Sequence, residues 1–430
     1  MTINSLLGVN GSEYFPVREI RRDFPILSEK INGRDLIWLD NAATTQKPSC
    51  VLDRMSYYYL HENSNVHRGA HTLAARATDA YEDARKKAGK FLHASSSEEM
   101  IFVRGTTEAI NLVARTFGKL NIGEGDEILL SELEHHANIV PWQMLCQETD
   151  ARIKVIPVDD NGQLQMEAYE KLLSGRTKLV SVAHVSNALG TITPIPEIIK
   201  MAHQYGAKVL VDGAQAVSHL KVDVTGWDCD FYAFSGHKVY GPTGIGAVYI
   251  KSEILKELPP YQGGGNMISD VTFDKTSYQG PPKRMEAGTG SIADAVGLGA
   301  ALDYVTKLNS DRIIAYEHDL LNYATEALKI IPDLSLIGTA EEKTSILSFI
   351  IKGFSNEEIG KKLNEAGIAV RAGHHCAQPI LRRFGLESTV RPSLAFYNTR
   401  AEVDEMARIL KRIRKNQSNF YLHNPLFVVY

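Results

Sequence analysis

A chain of 430 residues, 44% hydrophobic and 23% charged, is long enough for two or three domain-sized cores and needs no covalent staples to fold. Its formal net charge of −4 gives no global attraction for nucleic acid or an anionic membrane, so any anion it binds must be held locally. Four scattered cysteines (Cys50, Cys146, Cys229, Cys376) without a CxxC pair make neither a disulfide framework nor a zinc motif, which fits a reducing cytoplasm.

Residues 1 to about 14 are polar and aperiodic and read as a lead-in, without the basic-then-apolar pattern of an export signal. No stretch approaches membrane-spanning length. A short helix is expected over 17–23, and Asn32-Gly33 as a hairpin turn entering a strand at 36–39. From residue 40 to 298, apolar runs at 127–131, 179–183, 209–212 and 231–234 alternate with helical patterns such as 195–204. That rhythm predicts a mostly parallel sheet wrapped by helices.

The last third changes character. A strand is expected at 345–351, a capping box at Ser355 to Glu358, a helix stop at Gly367 and another strand at 368–370. Thr399 opens a final amphipathic helix with Glu402 in the capping-box position. The predicted organisation is therefore a lead-in, helix and hairpin over 1–38 associated with the smaller domain, a large α/β domain over 39–300, and a small α+β domain over 301–430. The apolar tail at 420–430 is expected to dock on the body.

Lys238, in Ser235-Gly-His-Lys238, follows an apolar strand and precedes the glycine-rich run Tyr240 to Gly246. A lysine at a strand end among glycines suits an imine to an aldehyde cofactor, because burial lowers its pKa and the backbone can approach closely. Upstream, Asp212 stands at the C-terminal end of another strand, where ligands of open α/β sheets gather. Read alone, Lys238 fits a surface loop and Asp212 a helix cap; the Asp-then-Lys order favours a cofactor. Thr106 and Thr107 offer hydroxyls at a helix start, equally suited to phosphate and to ordinary capping. His135 and His136 are adjacent, point apart on a helix and have no third ligand in spacing, so no metal is expected.

The set Thr106-Thr107, His135, Asp212-Gly-Ala-Gln215 and Ser235-Gly-His-Lys238 resembles the class V branch of fold-type I pyridoxal-phosphate (PLP) enzymes, over a match from Leu39 to about Arg412. The resemblance implies an α/β fold-type I PLP-dependent transferase, with a large, mostly parallel sheet wrapped by helices and a smaller α+β domain. It also implies that Lys238 carries PLP as an imine, Asp212 pairs with the ring nitrogen and Gln215 with the ring oxygen. His135 stacks on the ring, and Thr106, Thr107, Ser235 and His237 serve the phosphate. Thr289 reaches a neighbouring subunit's cofactor phosphate, which makes the protein a homodimer.

Cys376 sits in Arg371-Ala-Gly-His-His-Cys376-Ala, a short loop after a strand, and positive neighbours there are expected to raise its thiolate fraction. Arg391 lies in an apolar run, where it needs a carboxylate partner: a structural ion pair or an amino-acid substrate, with Asn187 as a second contact. Together these segments resemble group II, sulfur-mobilising cysteine desulfurases, a group that includes selenocysteine lyases. The resemblance makes Cys376 the nucleophile that becomes a persulfide, Lys238 and His135 catalytic, and Arg391, with Arg371 and Asn187, the grip on L-cysteine. It further implies a thiol-bearing acceptor protein, probed by slow turnover without it, and a role in iron–sulfur cluster assembly. L-Selenocysteine is the alternative substrate, and another class V aminotransferase-like reaction the alternative activity. Two departures stand out: Gly290-Ser291 replaces the family's usual Pro-Asn, and the run 293–300 resembles a subgroup with encapsulin cargo proteins, whose long N-terminal extensions contrast with the short lead-in read here.

Overall fold

The computed structural model describes residues 15–67 and 69–423. A seven-stranded sheet forms its centre, built from β1 (Met100–Val103), β2 (Glu127–Ser131), β3 (Arg152–Ile156), β4 (Thr177–Ala183), β5 (Lys208–Asp212), β6 (Phe231–Ser235) and β7 (Gly246–Ile250). Their spatial order is β1-β7-β6-β5-β4-β2-β3, and only β7 runs antiparallel to its neighbours. Strands β2, β6 and β7 are buried along their whole length because helices cover both faces, so they read as continuous apolar runs rather than alternating ones.

The helices that carry the argument are α1 (Thr72–Phe91), α2 (Thr106–Val113), α3 (Ile292–Leu308), α4 (Ser310–Lys329), α5 (Asn356–Glu365) and α6 (Arg400–His423). The expected domain boundary at residue 300 falls inside α3, and the chain first breaks direction at Asn309, whose φ is +68°. Beyond it, β8 (Leu334–Ile337), β9 (Ser348–Ile351), β10 (Arg371–Gly373) and β11 (Thr389–Arg391) form an antiparallel sheet in the order β8-β9-β11-β10. Its core joins Phe349 and Val390 to Leu320, Leu363, Met406 and Leu410 of α4, α5 and α6.

The capping boxes form as expected: Ser355 with Glu358, and Thr399 with Glu402, whose carboxylate accepts from Thr399 N at 2.8 Å. The Asn32-Gly33 turn joins two short strands, and Ile37–Trp38 pairs in parallel with Ile368–Ala369, which ties the N-terminal segment to the C-terminal third. The apolar tail expected to dock lies outside the residues whose side chains are described.

Candidate active site

The C-terminal ends of β1, β2, β4, β5 and β6 share one edge of the sheet, and the loops leaving them surround a cavity of about 220 Å³. Thr106, Thr107, His135, Asn187, Asp212, Gln215, Ser235, His237, Lys238, Arg371, Cys376 and Arg391 all line it. Thr289 does not: it is exposed on the loop before α3, away from the cavity of its own chain.

One end of the cavity is built for an anion. Helix α2 starts at Thr106 with Gly105 as its cap, so the capping residue has no side chain to occupy the free N–H groups of the first turn. Thr106 donates its N–H to Ser235 Oγ at 2.9 Å, and the two hydroxyls lie 2.8 Å apart. Thr106 is thus a first-turn residue, and its hydroxyl joins the cavity wall instead of capping the helix. Gly105 has φ +154°, and a Cβ on it would lie 3.1 Å from Ser235 Oγ; one on Gly246 would fall 2.7 Å from Gly105 Cα. Two glycines back to back keep this cradle open.

At the floor, Asp212 is buried and accepts from Ala214 N at 2.9 Å. Burial raises its pKa, against the pull of that hydrogen bond and of Lys238. Burial lowers Lys238 to about 8, although Asp212 opposes the shift. Gln215 donates to Ala42 O at 2.7 Å. His135 caps a 3-10 turn (His136–Asn138) rather than lying on a helix, and its Nδ1 accepts from Ala137 N at 3.0 Å. Burial pushes its pKa down to about 3, so the ring is neutral and carries its proton on Nε2.

Opposite stands the substrate side. Arg391 is 2% exposed; its Nη1 donates to Asn187 O at 2.8 Å and its Nη2 meets Asp40 Oδ1 at 3.2 Å. Asp40 Oδ2 accepts from Arg371 Nε at 3.3 Å. The ion pair left open by the sequence is therefore present, yet Arg391 Nε and Asn187 Oδ1 stay buried without partners, ready for a further polar group. Asn187 Nδ2 donates to His375 O at 2.7 Å, next to Cys376.

The expectation of positive neighbours around Cys376 needs correcting at His375. That ring is buried against Thr389, and burial, with Arg391 and Arg371 nearby, lowers its pKa to about 3, so it is neutral. Positive charge near the cysteine comes from the two arginines and the Lys238 ammonium. Sequence reasoning also missed Asp40, whose signal was a polar residue directly after the apolar run 36–39, and His375 as a cavity wall.

The arrangement fits PLP on its own chemistry: an open helix N-terminus for phosphate, a buried carboxylate for a ring nitrogen, and a lysine of lowered pKa facing both. No group of three His, Cys, Asp or Glu able to hold a metal occurs among the described residues, nor any helix long and apolar enough to cross a membrane. The model of the aminotransferase class-V family matches residues 37–406. The chain belongs to this family. Within it, the chain is 64% identical over 415 residues to a cysteine desulfurase of Synechococcus elongatus, covering 96% of this chain and 66% of that one. It is 60% identical to a probable cysteine desulfurase of Mycolicibacterium paratuberculosis, covering 95% and 59%. The chain thus spans about two thirds or less of the length of these two class-V relatives, whereas it covers 99% of a cysteine desulfurase of Salmonella agona at 51% identity, over 93% of its own length. Among solved structures, a cysteine desulfurase of Thermococcus onnurineus superimposes with a TM-score of 0.89 at 36% identity, covering 95% of this chain and all of that one. One from Escherichia coli gives 0.87 at 37%, covering 94% and 100%.

Proposed function

We propose that this protein is a PLP-dependent cysteine desulfurase that converts L-cysteine to L-alanine and holds the sulfur on Cys376. The observation that carries the reading is that Cys376 lines the same cavity as Lys238 and Asp212. A transaminase on this fold needs the latter two and has no use for the thiol. The relatives named above are cysteine desulfurases, which does not favour selenocysteine lyase or another class V activity.

When bound, PLP supplies an aldehyde for the substrate amine and a ring that takes up the electrons of the α-carbon. Thr106, Thr107, Ser235 and His237 would hold its phosphate, Asp212 its ring nitrogen, Gln215 its ring oxygen and His135 its face. Arg391 binds the substrate carboxylate through its unspent Nε, and Asn187, whose unspent Oδ1 is an acceptor, adds a contact to the substrate's N–H. Lys238, with its ammonium lowered to about 8, moves the proton at the α-carbon. The Cys376 thiolate attacks the substrate sulfur: a sulfur–sulfur bond forms, and the carbon–sulfur bond breaks with its electrons to the carbon. That carbon takes a proton and leaves as alanine, while an acceptor thiol clears the persulfide by exchange.

Three finer features belong to the same proposal. The enzyme is a homodimer in which the exposed Thr289 completes the neighbour's phosphate site, the acceptor is a thiol-bearing protein, and the group II type serves iron–sulfur cluster assembly in the cytoplasm. The decisive experiment replaces Cys376 with Ala in the cofactor-loaded protein. L-Cysteine should still perturb the visible cofactor absorbance, while alanine release falls on the order of a hundredfold or more, the scale expected when a nucleophile is removed. Alanine formed at the parental rate would refute the reading.

A further inference from the structure

The reaction asks two things of Lys238: it must reach the cofactor aldehyde, and afterwards the α-carbon. The lysine ends a 3-10 turn (Gly236–Lys238) whose backbone bonds, from Val239 N and Gly241 N, both end on Gly236 O and leave the His237 carbonyl free. Tyr240 follows in a left-handed conformation, with φ of +65°, which a non-glycine residue keeps only under constraint from its surroundings. That constraint comes from the segment Thr44 to Lys47. The His237 carbonyl, one peptide bond before Lys238, accepts from Thr45 N, Thr44 Oγ1 and Lys47 Nζ, each at 3.0 Å. Thr45 Oγ1, 3.2 Å from the same carbonyl, accepts from Tyr240 N at 2.8 Å on the far side of the lysine. The segment is anchored in turn: Trp38 Nε1 donates to Thr44 O at 3.3 Å, and Gln46 N to the buried Tyr397 hydroxyl at 3.0 Å.

We propose that Thr45 and Lys47 are positioning residues that strap the backbone on both sides of Lys238, so that only the lysine side chain moves between its two tasks. Neither lines the cavity, so neither touches a reacting atom. Lys47 is half-buried, its other acceptors are Thr45 O and, at 3.5 Å, Thr44 Oγ1, and among the described residues it forms no ion pair. Burial lowers its pKa to about 7. Keeping a cation from water without a carboxylate is costly. What the cost secures is a charge-assisted hydrogen bond to the carbonyl that orients Lys238, stronger than a neutral donor gives. Orientation counts here, because a displacement of about 1 Å can slow a reaction on the order of a hundredfold.

The inference rests on Lys238 moving the proton at the α-carbon, as proposed above, and its first readout needs neither cofactor nor turnover. Amide hydrogen exchange is followed in the cofactor-free protein at pH 6, where the Lys47 ammonium is charged. In Lys47→Met, and independently in Thr45→Val, which keeps the shape and removes the hydroxyl, exchange over 236–241 should speed up on the order of tenfold, the scale of one lost hydrogen bond, while helix α5 exchanges as in the parent. The second readout is exchange of the α-proton of L-alanine into heavy water by the cofactor-loaded protein, followed by proton NMR, which involves no sulfur. It should slow on the order of tenfold in both variants while L-alanine binding, read from the visible absorbance, holds. Lys47→Arg, which keeps a charged donor, should recover both readouts. Should Lys47→Met loosen the whole fold, helix α5 included, Thr45→Val decides. Parental exchange over 236–241 overturns the proposal, and so does faster exchange there with the α-proton rate unchanged, the mark of a merely structural contact. If Lys238→Ala exchanged the α-proton as fast as the parent, the role given to Lys238 would fall and the inference with it; that failure is told apart because the loosened backbone at 236–241 would remain.

Discussion

Lys238 offers a test in which the direction and the size both follow from its surroundings. Burial lowers its pKa from 10.5 to about 8, so at pH 7 about one molecule in eleven carries the neutral amine, against roughly one in three thousand for an unperturbed lysine. Only the neutral amine attacks an aldehyde, so the burial is worth about 300-fold in reactive form at pH 7. The assay strips the cofactor, mixes the protein with PLP in a stopped-flow instrument from pH 6 to 10, and follows the absorbance of the lysine–cofactor bond. The rate should climb about tenfold per pH unit and level off near pH 8. Asp212 raises this pKa by its charge, so Asp212→Asn should move the midpoint to lower pH. A rate that keeps climbing past pH 10, or a midpoint that rises in Asp212→Asn, would show that Lys238 does not sit in the environment described.

Three further outcomes are expected. Gly246→Ala places a Cβ 2.5 Å from Phe234 O and 2.7 Å from Gly105 Cα, both backbone, so it should cost about 1–3 kcal/mol in denaturant unfolding and weaken PLP binding; unchanged cofactor affinity would contradict the cradle. Glu134, fully buried, accepts from Ser131, from Asn138 Nδ2 at 2.6 Å and from Ala183 N at 2.9 Å, and Glu134→Leu strands these donors at a cost of roughly 2–5 kcal/mol; a denaturation midpoint within error of the parent would rule the network out as a contributor to stability. In analytical ultracentrifugation the protein should sediment as a dimer at assay concentration, and a fully active monomer would remove Thr289 from the cofactor site.

Much of this architecture was written in local pattern. Helix starts such as Ser355 and Thr399 are legible because a capping box is a contact over three residues. The buried strands β2, β4, β5 and β6 are legible because each is centred on a short apolar run, such as Val209 to Val211 in β5 and Phe231 to Phe234 in β6. Direction is not: β7 reads like its parallel neighbours and runs the other way, since continuous burial erases the alternation that would mark a strand's faces. The cofactor side of the site was equally visible, as Lys238 and Asp212 sit at strand ends. Asp40 was not, because its partners Arg371 and Arg391 are more than 300 positions away and meet it only when the N-terminal segment pairs with the C-terminal third. The neutral state of His375 was hidden for the same reason. Sequence shows an imidazole beside a cysteine, and only packing against Thr389 shows that the ring is buried.

The placement of Cys376 shows how the site shares out its labour. His375 and Cys376 both adopt left-handed backbone conformations, with φ of +55° and +54°, which costs non-glycine residues roughly 1–2 kcal/mol each. Such a pair persists only where contacts hold it, and three do so from two different sheets. His136 N donates to Cys376 O at 2.8 Å and Asn187 Nδ2 to His375 O at 2.7 Å, both from the edge that also carries Lys238. Thr389 of β11 meets His375 Nε2 at 2.8 Å; its hydroxyl donates onward to Ser348, so the histidine is the donor in that contact. Swinging the loop outward would break these hydrogen bonds, each worth about 1 kcal/mol, without offering the backbone a partner in exchange. Under the mechanism proposed above, the loop would hold the thiol for attack inside the cavity, while Cys376 also lines the open outer groove. The expected outcome is that an acceptor protein bringing its own cysteine to that groove collects sulfur faster than a small thiol, as turnover measured with each acceptor would show.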